Sequence, residues 1–183
     1  MRIFFIIVLV FSLLPVFSQI EKEEELPVID LRKYVNVGYR KAVERKIDVI
    51  VLHSTHFVDA DSFSIQGVLQ QFRQYKVGAH YIIGREGQIY YAVSEKDVAF
   101  HAGVSRLPES NRTNLNASSI GIEIINTPHT PPSEAQYEAL VRLIKDIKRR
   151  HAIAFIVRHS DIAPDRKTDP WQFDWQWFKI SVE

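Results

Sequence analysis

Three side chains stand where a folded chain can deliver a metal ligand. His53 follows the apolar run at 47–52 (IDVIVL), and His159 follows the run at 153–157 and Arg158. Asp169 lies ten residues beyond His159, across a loop carrying Pro164. Groups at strand ends are those a rigid sheet can present in fixed geometry. Two imidazoles and one carboxylate make a three-donor zinc set that leaves the fourth tetrahedral position for water. The charge sum, +2 from the ion and −1 from the carboxylate, keeps such an ion an effective Lewis acid. If the two runs form parallel neighbouring strands, both histidines project from the same edge. Each residue is equally at home in a core or on a surface, and spacing by itself leaves both readings open. Glu123 sits in the run at 120–125, whose alternation puts Ile120, Ile122 and Ile124 on one face and Gly121 and Glu123 on the other. It is either a half-exposed surface carboxylate or a base held at a site. Lys167, two residues before Asp169, is either a solvated loop charge or a cation placed to steady an oxyanion.

The elements that must position these groups are legible as alternating strand and helix signals. The runs at 47–52, 120–125 and 153–157 have strand length and composition. Residues 80–83 and 88–93 flank Gly84-Arg85-Glu86-Gly87 and read as a hairpin. Residues 64–75 show helical spacing through Ile65, Val68, Leu69 and Phe72, with Gly78 as the stop signal. Ser133 and Gln136 form a capping box ahead of an apolar stripe at Tyr137, Leu140, Val141, Ile144 and Ile147. The interleaving predicts an α/β fold, a mixed central sheet flanked by helices.

Composition narrows the chemistry further. The 183 residues carry 23 Lys+Arg against 22 Asp+Glu, so no basic excess exists to bind nucleic acid. With no cysteine, disulfides, thiol nucleophiles and cysteine-containing zinc sites are excluded, and any metal falls to the seven histidines and the carboxylates. Met1-Arg2 precedes an apolar run at 3–17, with Val16 and Ser18 at the positions of a signal-peptidase site. The expected organisation is a signal peptide at 1–18, a linker or extension at 19–44 and one catalytic domain at 45–183. That run is shorter than the ~20 apolar residues of a bilayer span, so an exported protein, periplasmic or secreted and without stable membrane insertion, is expected over an anchored one.

The segments VIVLHST, VGAHYIIGREGQIY, AFHAGVS, SIGIEIIN and RHSDIAPDRKTDPWQFDW occur in this order. They resemble the zinc-dependent N-acetylmuramoyl-L-alanine amidases of the peptidoglycan-recognition-protein and phage-lysozyme superfamily, within it the bacterial anhydro-muropeptide amidase branch. The resemblance runs from about residue 45 to 178, and HSDIAPDRKTDP is its most specific segment. It implies a single domain with a mixed sheet, with zinc held by His53, His159 and Asp169. It further implies that Glu123 activates the attacking water and that Lys167 steadies the tetrahedral intermediate. His80, His101 and Asn116 match positions near the cleft and are expected either at the substrate or behind the ligands. The implied partner is peptidoglycan or a muropeptide, acted on by a monomer.

Three positions depart from relatives. Ala79 stands where the recognition-protein and phage branches carry tyrosine, Asp169 where they carry a cysteine ligand, and Trp171 where nearer relatives carry glycine. The aromatic tail formed by Trp171, Phe173, Trp175, Trp177 and Phe178 is expected to pack on the sheet, with a sugar-stacking wall as the other possibility. A binding module that has lost catalysis is the alternative function, but such modules typically lack a metal ligand.

Overall fold

The computed structural model describes residues 26–183. The expected signal peptide at 1–18 lies outside these residues. In chain order the strands are β1 (Val28–Asp30), β2 (Tyr39–Arg40), β3 (Val49–Thr55), β4 (Tyr81–Ile83), β5 (Ile89–Tyr91), β6 (Val98–Ala99), β7 (Ser119–Ile125) and β8 (Phe155–Arg158). The helices are α1 (Ile65–Tyr75), α2 (Glu134–Arg150), α3 (His159–Ile162) and α4 (Trp175–Val182), and a 3-10 turn spans Leu115–Ala117. Six strands form one sheet in the order β1-β5-β4-β7-β3-β8, while β2 and β6 pair separately. Every pairing in the large sheet is parallel except the β4–β5 hairpin, so the expected mixed sheet is observed.

Strand alternation divides the sheet between two layers. Ile50, Leu52, Ile120, Ile122 and Ile124 face α2 and α4, packing with Leu140, Leu143, Ile144, Ile147 and Phe178. On the opposite face Ile82 and Ile125 meet Val68, Leu69 and Phe72 of α1. Val49 and Val51 on that face are covered by Ala102, Leu107, Leu115 and Ile162. Burial on both faces is what parallel strands require, and it explains their almost unbroken apolar runs.

Helix α2 starts with the expected capping box: Ser133 Oγ accepts the Gln136 N–H at 3.2 Å, and the Gln136 side chain accepts the Ser133 N–H at 3.0 Å. Helix α1 is capped by Ser64 but ends at Lys76 in the left-handed region, φ 54°, before the expected glycine stop. Two boundaries also differ from the sequence reading. Strand β3 runs on through His53, Ser54 and Thr55, because β7 continues beside it in register past Leu52, where the pairing with β8 ends, and all three residues are buried. Residues 28–30 and 39–40, expected in a linker, pair with β5 and β6. Segments so short and exposed carry no alternation to read. Part of the aromatic tail packs as expected, with Phe178 fully buried and Phe173 and Trp175 against the same core, whereas Trp177 is exposed and Trp171 lies outside that core.

Candidate active site

Strand β3 lies between β7 and β8, parallel to both. His53 therefore has Glu123 of β7 as its in-register neighbour on the same sheet face, the face opposite the α2 core. His159 is the first residue of α3, directly after β8. The chain turns there because the Asp161 carboxylate accepts the Arg158 N–H at 2.9 Å. Asp169 is returned to the same edge by two stitches. Its carbonyl accepts the Ser160 N–H at 2.9 Å, and the Trp171 N–H donates to Ser54 Oγ at 3.0 Å.

These placements bring together His53, His159 and Asp169, all buried. The two Nδ1 atoms are 2.9 Å apart, and Asp169 Oδ2 lies 3.1 Å from His159 Nδ1 and 3.5 Å from His53 Nδ1. Tetrahedral zinc with bonds near 2.0–2.1 Å has ligand–ligand edges of about 3.3 Å, so this triangle fits one face of such a site. The donor chemistry agrees. His159 Nε2 faces the Ala102 carbonyl at 3.3 Å and so carries the proton of a neutral ring, leaving a lone pair on Nδ1. That lone pair points at a second imidazole nitrogen and at a carboxylate oxygen, an arrangement that a cation satisfies.

Burial, with the neighbouring His159, pushes His53 down to about 4. Burial opposes ionisation of Asp169, but the close approach of the His159 and His53 rings outweighs it and holds the carboxyl well below its usual range. Neutral imidazole and ionised carboxylate are the ligand states that metal binding needs.

The donors open into a cleft of about 220 Å³ whose lining includes Glu123, His101, Lys167, Phe100, Tyr75 and Trp171. Glu123 is pushed up to about 8 by burial and by the Asp169 charge, with Lys167 acting in the opposite direction. A carboxyl so raised exchanges a proton near neutral pH. Trp171 meets His56 edge-on, ring centroids 5.5 Å apart, and forms one cleft wall.

His80 and Asn116 stand behind the cleft. His80 is fully buried; its Nδ1 accepts the Gly121 N–H at 3.0 Å, and Arg45 lies against its other nitrogen. Burial, and then Arg45, push it down to about 3. Asn116 Oδ1 accepts the backbone N–H groups of His101 and Ala102, at 3.1 and 2.7 Å. Burial, then His53 and His80, hold His101 well below its usual value.

Sequence reasoning passed over Arg45, whose guanidinium donates to the carbonyls of Asp97 and Ser119. It also passed over Arg166, which donates to the Ala102 carbonyl at 2.6 Å. Both tie loops behind the donor cluster. Arg45 has no local motif, and Arg166, although it lies within HSDIAPDRKTDP, has its partner carbonyl 64 residues away, so neither contact is legible locally.

A family model described as N-acetylmuramoyl-L-alanine amidase matches residues 43–172. The chain belongs to that family. Among curated relatives, the 1,6-anhydro-N-acetylmuramyl-L-alanine amidase AmpD of Enterobacter cloacae is 45% identical over 105 residues, 56% of this chain and 55% of the relative. The N-acetylmuramoyl-L-alanine amidase AmiD of Escherichia coli K12 is 34% identical over 173 residues, 84% of this chain and 58% of the relative. The chain thus spans a little over half the length of these curated relatives. A crystal structure of a selenomethionine AmpD superposes with TM-score 0.71 at 28% identity, covering 85% of this chain and 94% of that one. AmiD from E. coli, solved with anhydro-N-acetylmuramic acid-L-Ala-D-γ-Glu-L-Lys, superposes with TM-score 0.65 at 33% identity, covering 76% and 59%. Among the described residues no helix is long and apolar enough to cross a membrane.

Proposed function

We propose that this chain is an exported, zinc-dependent N-acetylmuramoyl-L-alanine amidase. It hydrolyses the amide between the lactyl group of N-acetylmuramic acid and L-alanine in peptidoglycan or its muropeptide fragments. One observation carries the reading: three electron-pair donors, from β3, the start of α3 and the loop beyond it, converge within 2.9–3.5 Å of one another beside a carboxylate on the next strand. Family membership supports the bond cleaved, and the anhydro-muropeptide seated in AmiD supports the substrate class. The apolar run at 3–17 behind Met1-Arg2 supports export.

His53, His159 and Asp169 would hold the zinc ion, which when bound supplies Lewis acidity toward a carbonyl and acidifies water. The remaining work falls to side chains of this chain. Glu123 removes a proton from the attacking water as the new C–O bond forms at the lactyl carbonyl. Lys167 supplies positive charge on the cleft side where that carbonyl oxygen gathers negative charge. When the C–N bond breaks, Glu123 returns the proton to the departing amine of L-alanine, which leaves neutral. Burial raises Glu123 above the ordinary carboxylate value, which favours its taking up the water proton and holding it for the amine.

Incubating the purified protein with a defined anhydro-muropeptide, with and without a chelator, and weighing the products by mass spectrometry tests the proposal. The expected products are the free sugar acid and the intact stem peptide, with cleavage abolished by chelation and restored by zinc. Binding of the muropeptide without any cleavage in zinc-loaded protein would replace the enzyme reading with that of a binding module.

A further inference from the structure

Behind His53 a chain of hydrogen bonds runs away from the ligand cluster and ends on a backbone carbonyl. His53 Nε2 lies 3.0 Å from His101 Nδ1, and His101 Nε2 lies 3.1 Å from Ser119 Oγ. Ser119 Oγ in turn donates to the Leu115 carbonyl at 2.6 Å. A carbonyl only accepts, and a hydroxyl has one proton to give. Ser119 has therefore spent its proton on Leu115 and can only accept from His101, so the proton of His101 is on Nε2. A neutral imidazole protonated at Nε2 has its lone pair on Nδ1, which accepts from His53 Nε2–H. His53 is left with its lone pair on Nδ1, the atom facing His159 and Asp169.

The same segment of chain also fixes where His101 sits. Asn116 Oδ1 holds its backbone N–H at 3.1 Å. Beneath the ring lies Gly121, where an added Cβ would stand 2.6 Å from His101 Nδ1 and 2.7 Å from Cδ2. Real Cβ atoms do not approach so closely, so a glycine within an otherwise bulky apolar strand is the seat of this imidazole. The residue types at 115–121 thus supply an acceptor for the ring, a clamp for its backbone and the space it occupies.

We propose that His101 is a positioning residue: through the chain from the Leu115 carbonyl it sets the tautomer and orientation of His53, so that Nδ1 is presented to the metal before the metal arrives. Gly121 belongs to the same device, as the position whose lack of a side chain admits the ring. The inference rests on the proposed function only in taking His53, His159 and Asp169 as the metal donors.

Two measurements test it. In wild-type protein freed of metal and labelled with 15N-histidine, long-range proton–nitrogen correlation reads which ring nitrogen of His53 carries the proton. Nε2–H is expected, and Nδ1–H overturns the proposal whatever the variants do. Zinc affinity, measured by competition with a chromophoric chelator, is expected to fall roughly 10–100-fold in His101→Phe, the usual effect of removing a partner that orients a metal ligand. Gly121→Ala and Ser119→Ala are expected to fall in the same direction. His101→Asn, whose amide oxygen can replace Nδ1 as acceptor, is expected to recover most of the loss. Circular dichroism and thermal unfolding of each variant establish that it is folded. Affinity unchanged in folded His101→Phe, with the wild type binding zinc normally, overturns this inference and leaves the proposed function standing. A wild type that takes up no zinc overturns the metal assignment itself, and this inference with it.

Discussion

Glu123 presents the clearest conflict between stability and chemistry in the molecule. Its carboxyl is raised from 4.5 to about 8 in the folded protein, chiefly by burial. A group whose folded value lies above its unfolded one binds its proton more tightly when folded. The associated stability is fully present below pH 4.5 and is lost as pH rises toward 8. At 1.36 kcal/mol per unit, the full difference is about 5 kcal/mol, of which about 3 kcal/mol is already lost at pH 7. Replacing Glu123 with Gln removes the ionisation while keeping the shape. Metal-free Glu123→Gln is therefore expected to be about 3 kcal/mol more stable than metal-free wild type at pH 7, a rise of roughly 6–12 °C in Tm for a domain of this size. The gap should close below pH 4.5, where the wild-type carboxyl is protonated in both states. The same variant, loaded with zinc, should lose at least ~10²-fold in kcat, the usual consequence of removing a general base. Urea unfolding and differential scanning fluorimetry from pH 4 to 9, beside kcat on a muropeptide, measure both effects. A stability difference independent of pH, or a Gln variant that turns over normally, would refute the reasoning.

His159→Ala removes one of three donors, and metal content by inductively coupled plasma mass spectrometry is expected to drop together with activity. A fully metallated, active variant would end the ligand assignment. Lys167→Met should retain zinc but lose roughly 10²–10³-fold in kcat, the range for removing one group that stabilises an oxyanion. Since Lys167 holds the Glu123 value down, the acid limb of the kcat–pH profile should move to higher pH in this variant, and a limb that stays in place or moves down contradicts that coupling. Phe178→Ala empties a fully buried position between α4 and the sheet and should destabilise by about 3–5 kcal/mol in urea titration, without changing metal affinity.

Much of the frame was legible because its signals are local. The capping box at Ser133, the hairpin glycines and the period-two run at 120–125 each state their conformation within a few residues. The resemblance carried by HSDIAPDRKTDP marked His159, Lys167 and Asp169 as one constellation. Other features had no local signature. Strands β1 and β2 exist only because β5 and β6 offer them edges, and β3 extends through His-Ser-Thr because β7 continues to pair with it there.

Residue types thus determined which chemistry was available: no thiols, seven imidazoles, and carboxylates in strand and loop. What the tertiary structure alone decided is which imidazole nitrogens face the His53–His159–Asp169 cluster and which histidines stand behind it. His53, His80 and His101 are the same side chain in the sequence. Parallel pairing of β3 with β7 sets His53 at the cleft edge, pairing of β4 with β7 brings His80 beside Gly121, and the His101 ring lies over Gly121. The physical reason is that a ring's tautomer depends on donors and acceptors tens of residues away. Those partners meet it only after the sheet has formed.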